Sequence, residues 1–504
     1  MVARVMSVGL DGIEGYPLVC ECDLSSGLPS FDIVGLPDAA VKESRERVRA
    51  AIKNCGFEFP LRRITVNLAP GDRRKSGALY DLPILLSILL ASEQLEGVPE
   101  GTYFLGEVAL DGSLRPIRGA LPAAVAALDA GAKRLIVPFD NAAEAALASE
   151  RIAVFGGKTV AEVISAIPEG NGFIRTLRPD VAFKACYDVD FSEVKGQETA
   201  KRALEIAAAG GHNLLMCGPP GSGKSMLARR LPTILPDLTE EEVLETTKIH
   251  SVAGLTSREN PMVLTRPFRA PHHTTSPVSL TGGGHDLHPG EVSLAHNGVL
   301  FLDEFPEFAR STIDSMRQPL EDGFVTVTRS AGSVRYPSRF MLVGAMNPCR
   351  CGWYGHPSGK CTCSRGSVDQ YRSRISGPML DRMDIFVDVP EVKYSEISSV
   401  RPSESSEDIR RRVNAARRIQ LERYSGMGVT CNAGMPASMT DRVCTLGQAE
   451  SNLMKMAFDR LGLSARSYTR ILRISRTIAD LAASERILID HIAEALQYRP
   501  TLIK

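Results

Sequence analysis

Asn213-Leu214-Leu215-Met216-Cys217-Gly218-Pro219-Pro220-Gly221-Ser222-Gly223-Lys224-Ser225 is the stretch that decides how this chain folds. It opens with a short apolar run of strand character, passes into a glycine-rich loop, and hands over to Met226–Leu231, which has helical composition. Strand, loop and helix in that order are the context a Walker A phosphate-binding loop requires. Glycines let the backbone curl until its N–H groups converge on phosphate oxygens, and the N-terminus of the following helix adds partial positive charge. Lys224 is placed to reach β- and γ-phosphates, and the Ser225 hydroxyl to coordinate Mg²⁺. ATP and Mg²⁺ are therefore the expected cofactors.

Two further runs lie downstream. Val299-Leu300-Phe301-Leu302-Asp303-Glu304 reads as a buried strand ending in two carboxylates, roughly 80 residues after the loop. Asp303 can hold Mg²⁺ directly or through water, and Glu304 is placed to polarise an attacking water. Phe340–Met346 is a third apolar strand, and Asn347 at its end matches the position of the sensor 1 residue of AAA+ ATPases. From Phe191 to about Pro390 strands alternate with helices, as in a parallel sheet with crossovers.

The chain has 504 residues, enough for about three domains. Its hydrophobic fraction of 43% suits a protein with substantial cores. Lys+Arg and Asp+Glu both number 59, so any nucleic-acid surface must be local. The N-terminus MVARVMSVGLDGIEG lacks the pattern of a signal peptide, and Leu82–Ala91 is too short to span a bilayer. Eleven cysteines in such a chain point to reduced thiols or metal ligands. No membrane association is expected, and the location expected is the cytoplasm. Residues 1–170 mix strand runs (Ile64–Leu68, Leu135–Pro138) with helical stretches (Ala39–Lys53, Ala120–Ala130). Residues 171–190 read as a linker and 191–395 as the nucleotide core. Residues 396–504 are helical, with Ser405–Tyr424, Gln448–Arg460 and Thr469–Ala483 carrying helical spacing.

GPPGSGKS, PGEVSLAHNGVLFLDE, MNPCRCGWYG and ISGPMLDRMDI together resemble the ComM (YifB) family of magnesium-chelatase-like AAA+ ATPases over essentially the whole chain. The resemblance implies an α/β P-loop AAA+ core with a helical lid, in a homohexameric ring with ATP between neighbouring subunits. It makes Arg382 the arginine finger acting in trans on the γ-phosphoryl group. It assigns sensor 2 to Arg473, with Arg466, Arg470 and Arg476 as close competitors. It further implies a DNA helicase driving branch migration in natural transformation, acting on single-stranded or branched DNA beside recombination proteins. Asp322–Tyr336 alternates apolar and polar residues about a glycine-containing turn, which reads as a β-hairpin. By the resemblance that hairpin projects into the ring's pore, where Arg329 near its tip and Arg335 would contact phosphates without reading sequence. Ser251–His288, with His272 and His273, resembles the family's second inserted loop, with pore or structural roles favoured over metal binding. A chelatase-type ATPase that remodels a protein partner is the competing function, and an ATP-dependent protease a third.

Cys349-x-Cys351 and Cys361-x-Cys363 bracket a loop with Trp353, His356 and Gly359. Two such pairs can fold back to present four sulfurs to a structural Zn²⁺, although the usual CxxC spacing is absent; free thiols or a redox pair are the alternative. Ile64–Leu90 and Phe104–Pro138 resemble the Lon protease domain, a ribosomal-S5-domain-2-like α+β fold. That family's Ser–Lys dyad falls here on Leu79 and Leu121, which can neither attack nor take a proton. Lys75 and Ser76 are a poor substitute pair, so a binding or assembly role is expected instead. Arg62, Arg63, Arg73, Arg74 and Lys75 form local basic clusters there.

Overall fold

Leu214–Cys217 carries no charged side chain on either face, and such runs need cover on both sides. In the computed structural model they form β11 at the heart of a parallel sheet. The structure describes residues 2–169, 174–180, 187–284, 287–329, 332–392, 394–397 and 403–499. Residues 171–173 and 181–186 of the linker expected at 171–190 lie outside them.

The first region is built on β1 (Ala3–Asp11), β2 (Glu14–Ser25), β3 (Ser30–Val34), β4 (Arg63–Ala69) and β5 (Thr102–Phe104). A two-stranded ribbon follows, β6 (Glu107–Val108) with β7 (Leu114–Arg115), and then β8 (Arg134–Pro138), β9 (Ala153–Gly157) and β10 (Arg175–Thr176). Eight of these strands make one mixed sheet in the order β10-β9-β8-β5-β1-β2-β4-β3. Its longest pair is the antiparallel β1–β2, turned at Asp11-Gly12-Ile13-Glu14. Along β2, Tyr16, Leu18, Cys20 and Cys22 are buried while their neighbours are not, the two-residue period of a strand with one covered face. Helices Ala39–Asn54, Asp81–Ala91 and Ala120–Asp129 add to the same core. Buried Asp81 is paired with Arg47 at 2.7 Å, which ties the first two of these helices together.

The second region contains β11 (Leu214–Cys217), β12 (Phe268–Arg269), β13 (Gly282–Gly283), β14 (His288–Pro289) and β15 (Val299–Leu302), then β16 (Phe324–Arg329), β17 (Gly332–Pro337), β18 (Met341–Met346) and β19 (Ile385–Asp388). Five of them make a sheet in the order β12-β15-β18-β11-β19 with every pairing parallel. This mixed α/β architecture with a parallel-sheet core fits a magnesium-chelatase-like AAA+ fold. Residues that follow β11, β15 and β18 are thereby delivered to one edge, where ligands of open parallel sheets bind.

Helices Ser406–Arg423, Gln448–Leu461, Ala465–Leu481 and Ile489–Ala495 make up most of the described C-terminal region. The first of them docks on the C-terminal end of helix Glu198–Gly210, whose last carbonyls lack partners within the helix. Arg417 donates to Ala208 O at 3.1 Å and to Ala209 O at 3.2 Å, and Gln420 adds a bond to Ala209 O at 3.1 Å.

Among the described residues the first region meets the second at two packed places and through Arg178, paired with Glu240. Ile13, in the β1–β2 turn, packs into the cluster formed by Val325, Val327, Val334 and Tyr336 of the β16–β17 pair. Glu144, only 3% exposed, accepts from Leu121 N at 3.1 Å and from Thr256 Oγ1 at 3.0 Å, and also from Ser251 Oγ. Burial pushes its carboxyl above the usual range.

Candidate functional site

Gly223 has φ +92°, a backbone state that favours glycine, and the helix Lys224–Arg230 starts immediately after it. Lys224 is 8% exposed, and its Nζ donates to Gly218 O at 2.8 Å and Pro219 O at 2.9 Å. The amine thus spans the loop formed by Gly218, Pro219, Pro220, Gly221 and Ser222. Its desolvation lowers the amine below the ordinary lysine range, and a bound polyphosphate would oppose that shift.

The same amine lies 3.1 Å from Oδ1 of Asn347, just beyond β18. Ser225 Oγ donates to Asp303 Oδ2 at 2.6 Å, joining the loop to the end of β15. A hydroxyl and a carboxylate at that separation are a ready pair of oxygen ligands for Mg²⁺, which takes one or two protein oxygens and keeps waters or phosphates elsewhere. Glu304 follows with φ +51°, an uncommon left-handed state for a residue with a side chain. Its side chain is 57% exposed and approaches His273, with Oε2 3.3 Å from Nδ1. Lys224, Ser225, Asp303, Glu304 and Asn347, which the sequence scatters over more than a hundred positions, thus occupy one edge of the sheet.

Arg382 lies elsewhere. It sits three residues before β19, which runs parallel to β11, and Asn213 at the start of β11 donates to its carbonyl at 2.9 Å. The phosphate loop follows the far end of β11, and four residues of strand span about 13 Å. Arg382 therefore stands at the opposite end of the sheet from its own chain's loop. Its guanidinium is paired with Glu321 and donates to Pro378 O at 2.5 Å. Burial, then the nearby Arg317 and Arg466, lower it below the ordinary arginine range, so it stands in a locally cationic corner.

The tail arginines divide. Arg473, to which the family pattern points for sensor 2, lies within the helical region and donates to Ala433 O at 3.2 Å. Arg476 is buried against Asp480 at 3.1 Å, and Arg470 donates to Met383 O at 2.8 Å. Arg466 is the exposed one, 3.1 Å from Asp381 and so beside Arg382.

The alternation over Asp322–Tyr336 becomes the antiparallel pair β16–β17, in register from Phe324 opposite Pro337 to Arg329 opposite Gly332. Val325, Val327, Val334 and Tyr336 face inward, while Arg335 is exposed with its guanidinium 3.3 Å from the centre of the Phe324 ring. Ser330, Ala331 and the side chain of Arg329 lie outside the described residues.

Cys349, Cys351, Cys361 and Cys363 gather with all four sulfurs within 4.8 Å of one another. Three of the separations are 3.4, 3.8 and 3.7 Å, close to the edge of about 3.8 Å that a tetrahedron with zinc–sulfur bonds of about 2.3 Å would have. Backbone N–H groups of Trp353 and Thr362 hold the Cys351 thiol down to about 6, while Cys361 is pushed up to about 11 and Cys363 upward, so the thiolate a metal needs is favoured at one of these sulfurs. Gly352 has φ +85°, and a Cβ there would fall 2.5 Å from Cδ of Pro220. The cysteine loop thus rests directly on the phosphate loop.

In the first region Leu79 and Leu121 are buried, and Lys75 directs its amine to the carbonyls of Pro70 and Arg73. His272 engages Thr274 at 2.9 Å. The cysteines are the one cluster of metal-binding geometry among the described residues. No helix there is long and apolar enough to cross a membrane.

Sequence reasoning assigned His273 to a pore or structural role and passed over Glu144. No spacing rule connects residue 273 to 304 or 144 to 251, because those pairs meet only through the tertiary fold.

Three family models match successive parts of the chain: subunit ChlI of Mg-chelatase over residues 20–141, magnesium chelatase subunit ChlI over 190–397, and the C-terminal part of that subunit over 403–499. The chain is 42% identical over 490 residues to an uncharacterized protein, YifB, of Escherichia coli K12, covering 97% of this chain and 95% of that protein. It is 41% identical over 510 residues to the competence protein ComM of Haemophilus influenzae, covering 99% and 97% respectively. Similarity to the magnesium-chelatase 38 kDa subunit of Cereibacter sphaeroides is 29% over 174 residues, 31% of this chain and 52% of that subunit.

Proposed function

Because the chain belongs to the ComM/YifB family of magnesium-chelatase-like proteins, we propose that it is an ATP-hydrolysing, ring-forming motor that moves DNA. The observation that carries this reading is the meeting of Lys224, Ser225, Asp303 and Asn347 at one sheet edge with Arg382 at the other. A site divided between opposite ends of one subunit is completed when copies stack head to tail, and a homohexamer closes that arrangement. Lys224 and the loop amides bind the triphosphate, Ser225 and Asp303 hold Mg²⁺, and Glu304 takes the proton of the attacking water. Arg382 of the neighbouring copy stabilises charge on the transferred phosphoryl group. Of the tail arginines, Arg466 shares Arg382's corner and is our choice for the second residue reaching that nucleotide. Arg473, tied to Ala433 O, serves packing instead.

We read residues 1–170 as a Lon-protease-like domain without a working dyad, 191–395 as the AAA+ core and 396–504 as its lid. The DNA assignment rests on the β16–β17 hairpin, with Arg329 at its end and Arg335 on its exposed strand face, and on the printed name of the competence relative. In this reading the motor works in a bacterial cytoplasm on single-stranded or branched DNA, during recombination that follows DNA uptake. The full-length match to ComM favours it over a chelatase-type remodelling role, since the chelatase subunit matches about a third of the chain. Single-stranded DNA is expected to stimulate ATP hydrolysis. Arg329→Ala with Arg335→Ala should remove that stimulation and leave the DNA-free rate within about twofold, because exposed phosphate contacts serve binding rather than folding. Equal stimulation of the double variant would remove the hairpin from the DNA path, and no stimulation of the wild type would favour a protein substrate.

The four cysteines fit Zn²⁺, which would supply a structural clip rather than chemistry. Purified protein is expected to carry about one zinc per chain by atomic emission. Cys361→Ser with Cys363→Ser should lose it and bind a fluorescent ADP more weakly, since the loop leans on Pro220. Metal-free wild-type protein would return the cluster to free thiols.

A further inference from the structure

The carboxylate of Glu304 begins a strand end with little to hold it. Its backbone is left-handed, its side chain is more than half exposed, and the residue before it is committed to Ser225. Among the described residues the ion-pair contact given to this carboxylate is with Nδ1 of His273, 3.3 Å from Oε2. His273 belongs to the segment between β12 and the short helix Pro277–Thr281, not to the three strand ends that build the phosphate site.

That segment is anchored on both sides of the histidine. Before it, Arg269 makes a two-pronged bond to Glu291, at 2.6 and 2.9 Å. After it, the Thr275 carbonyl accepts from Thr312 Oγ1 at 3.3 Å, and Ser276 caps the helix by accepting from Ser279 N at 3.1 Å. Leu280 is then fully buried. Phe308 meets the imidazole edge-on, with ring centres 6.5 Å apart. A histidine so fixed holds its Nδ1 beside a carboxylate that is otherwise more than half exposed.

We propose that His273 is the positioning residue for Glu304: with its Nδ1 3.3 Å from Oε2 it restrains the carboxylate's rotation and keeps the base in the rotamer that meets the attacking water. This deepens the hydrolytic reading above and rests on it. Holding a general base in its productive rotamer matters because a displacement of about 1 Å can cost a hundredfold in rate. His273 touches no nucleotide in this scheme and acts only through Glu304.

The test uses the full chain with saturating single-stranded DNA, reading kcat, KM for ATP and fluorescent-ADP affinity. His273→Ala is expected to lower kcat by about ten- to a hundredfold while KM and ADP affinity stay within about twofold. His273→Gln, which keeps a donor at the same reach, should recover most of the lost rate. An unchanged kcat in His273→Ala, a loss of ADP affinity in step with kcat, or no recovery with His273→Gln would each overturn the proposal. Glu304→Gln in the same assay separates the two readings. If it still hydrolyses ATP, the hydrolytic assignment itself fails; if it is inactive while His273→Ala matches wild type, only the positioning role does.

Discussion

Glu304→Gln is expected to bind ATP as tightly as the wild type and to lose turnover by about a hundredfold to ten-thousandfold, the range a positioned general base contributes. The amide has the shape of the carboxylate but cannot accept the proton of the attacking water. The groups that hold the nucleotide do not depend on that charge. Asp303 and Ser225 keep their 2.6 Å contact, and Lys224 keeps its bonds to Gly218 and Pro219. Lys224→Ala should fail differently, at binding, because the amine that spans the loop is also the one that meets the phosphates. A phosphate-release assay beside fluorescent-ATP titration distinguishes the two. Wild-type turnover in Glu304→Gln would mean that water is activated from elsewhere.

Arg382→Ala should lower hydrolysis by about a thousandfold or more, as removal of an arginine finger does, with nucleotide affinity preserved. The expectation follows from topology. Arg382 precedes β19 at the end of the sheet remote from its own phosphate loop, which in the proposed ring puts it at another copy's nucleotide. In the single chain its charge is parked on Glu321. The sharper form of the experiment mixes variants. Arg382→Ala chains keep an intact phosphate loop, and Lys224→Ala chains keep the arginine, so a junction of one with the other regains a complete site. Recovery of hydrolysis on mixing two inactive preparations supports a shared site. Full activity of Arg382→Ala alone would contradict it.

Much of this site was legible in the sequence because its parts are locally encoded. A phosphate loop is one contiguous segment, and strands covered on both faces announce themselves as apolar runs, as Val299–Leu302 and Met341–Met346 do. The two CxC pairs were legible for the same reason, since a short loop brings them together. The β1–β2 pair was missed although Asp11-Gly12 between alternating runs is a hairpin signal; the alternation there is diluted by Gly9, Gly15 and Pro17. Partnerships between distant elements left no local mark. Glu144 reaches Ser251 and Thr256, and His273 reaches Glu304, only because helices and loops fold across the sheets. The tail arginines show the same limit. Arg466 and Arg473 share one helix, yet Asp381 lies beside the first and Ala433 beside the second, which spacing along the helix could not foretell.

The most direct test of the account is branch migration of a mobile four-way DNA junction by purified protein. The wild type is expected to convert the junction to duplex products only when ATP and Mg²⁺ are present, with Glu304→Gln converting none above background. Conversion by Glu304→Gln at the wild-type rate would contradict the claim that nucleotide turnover at this site drives movement on DNA.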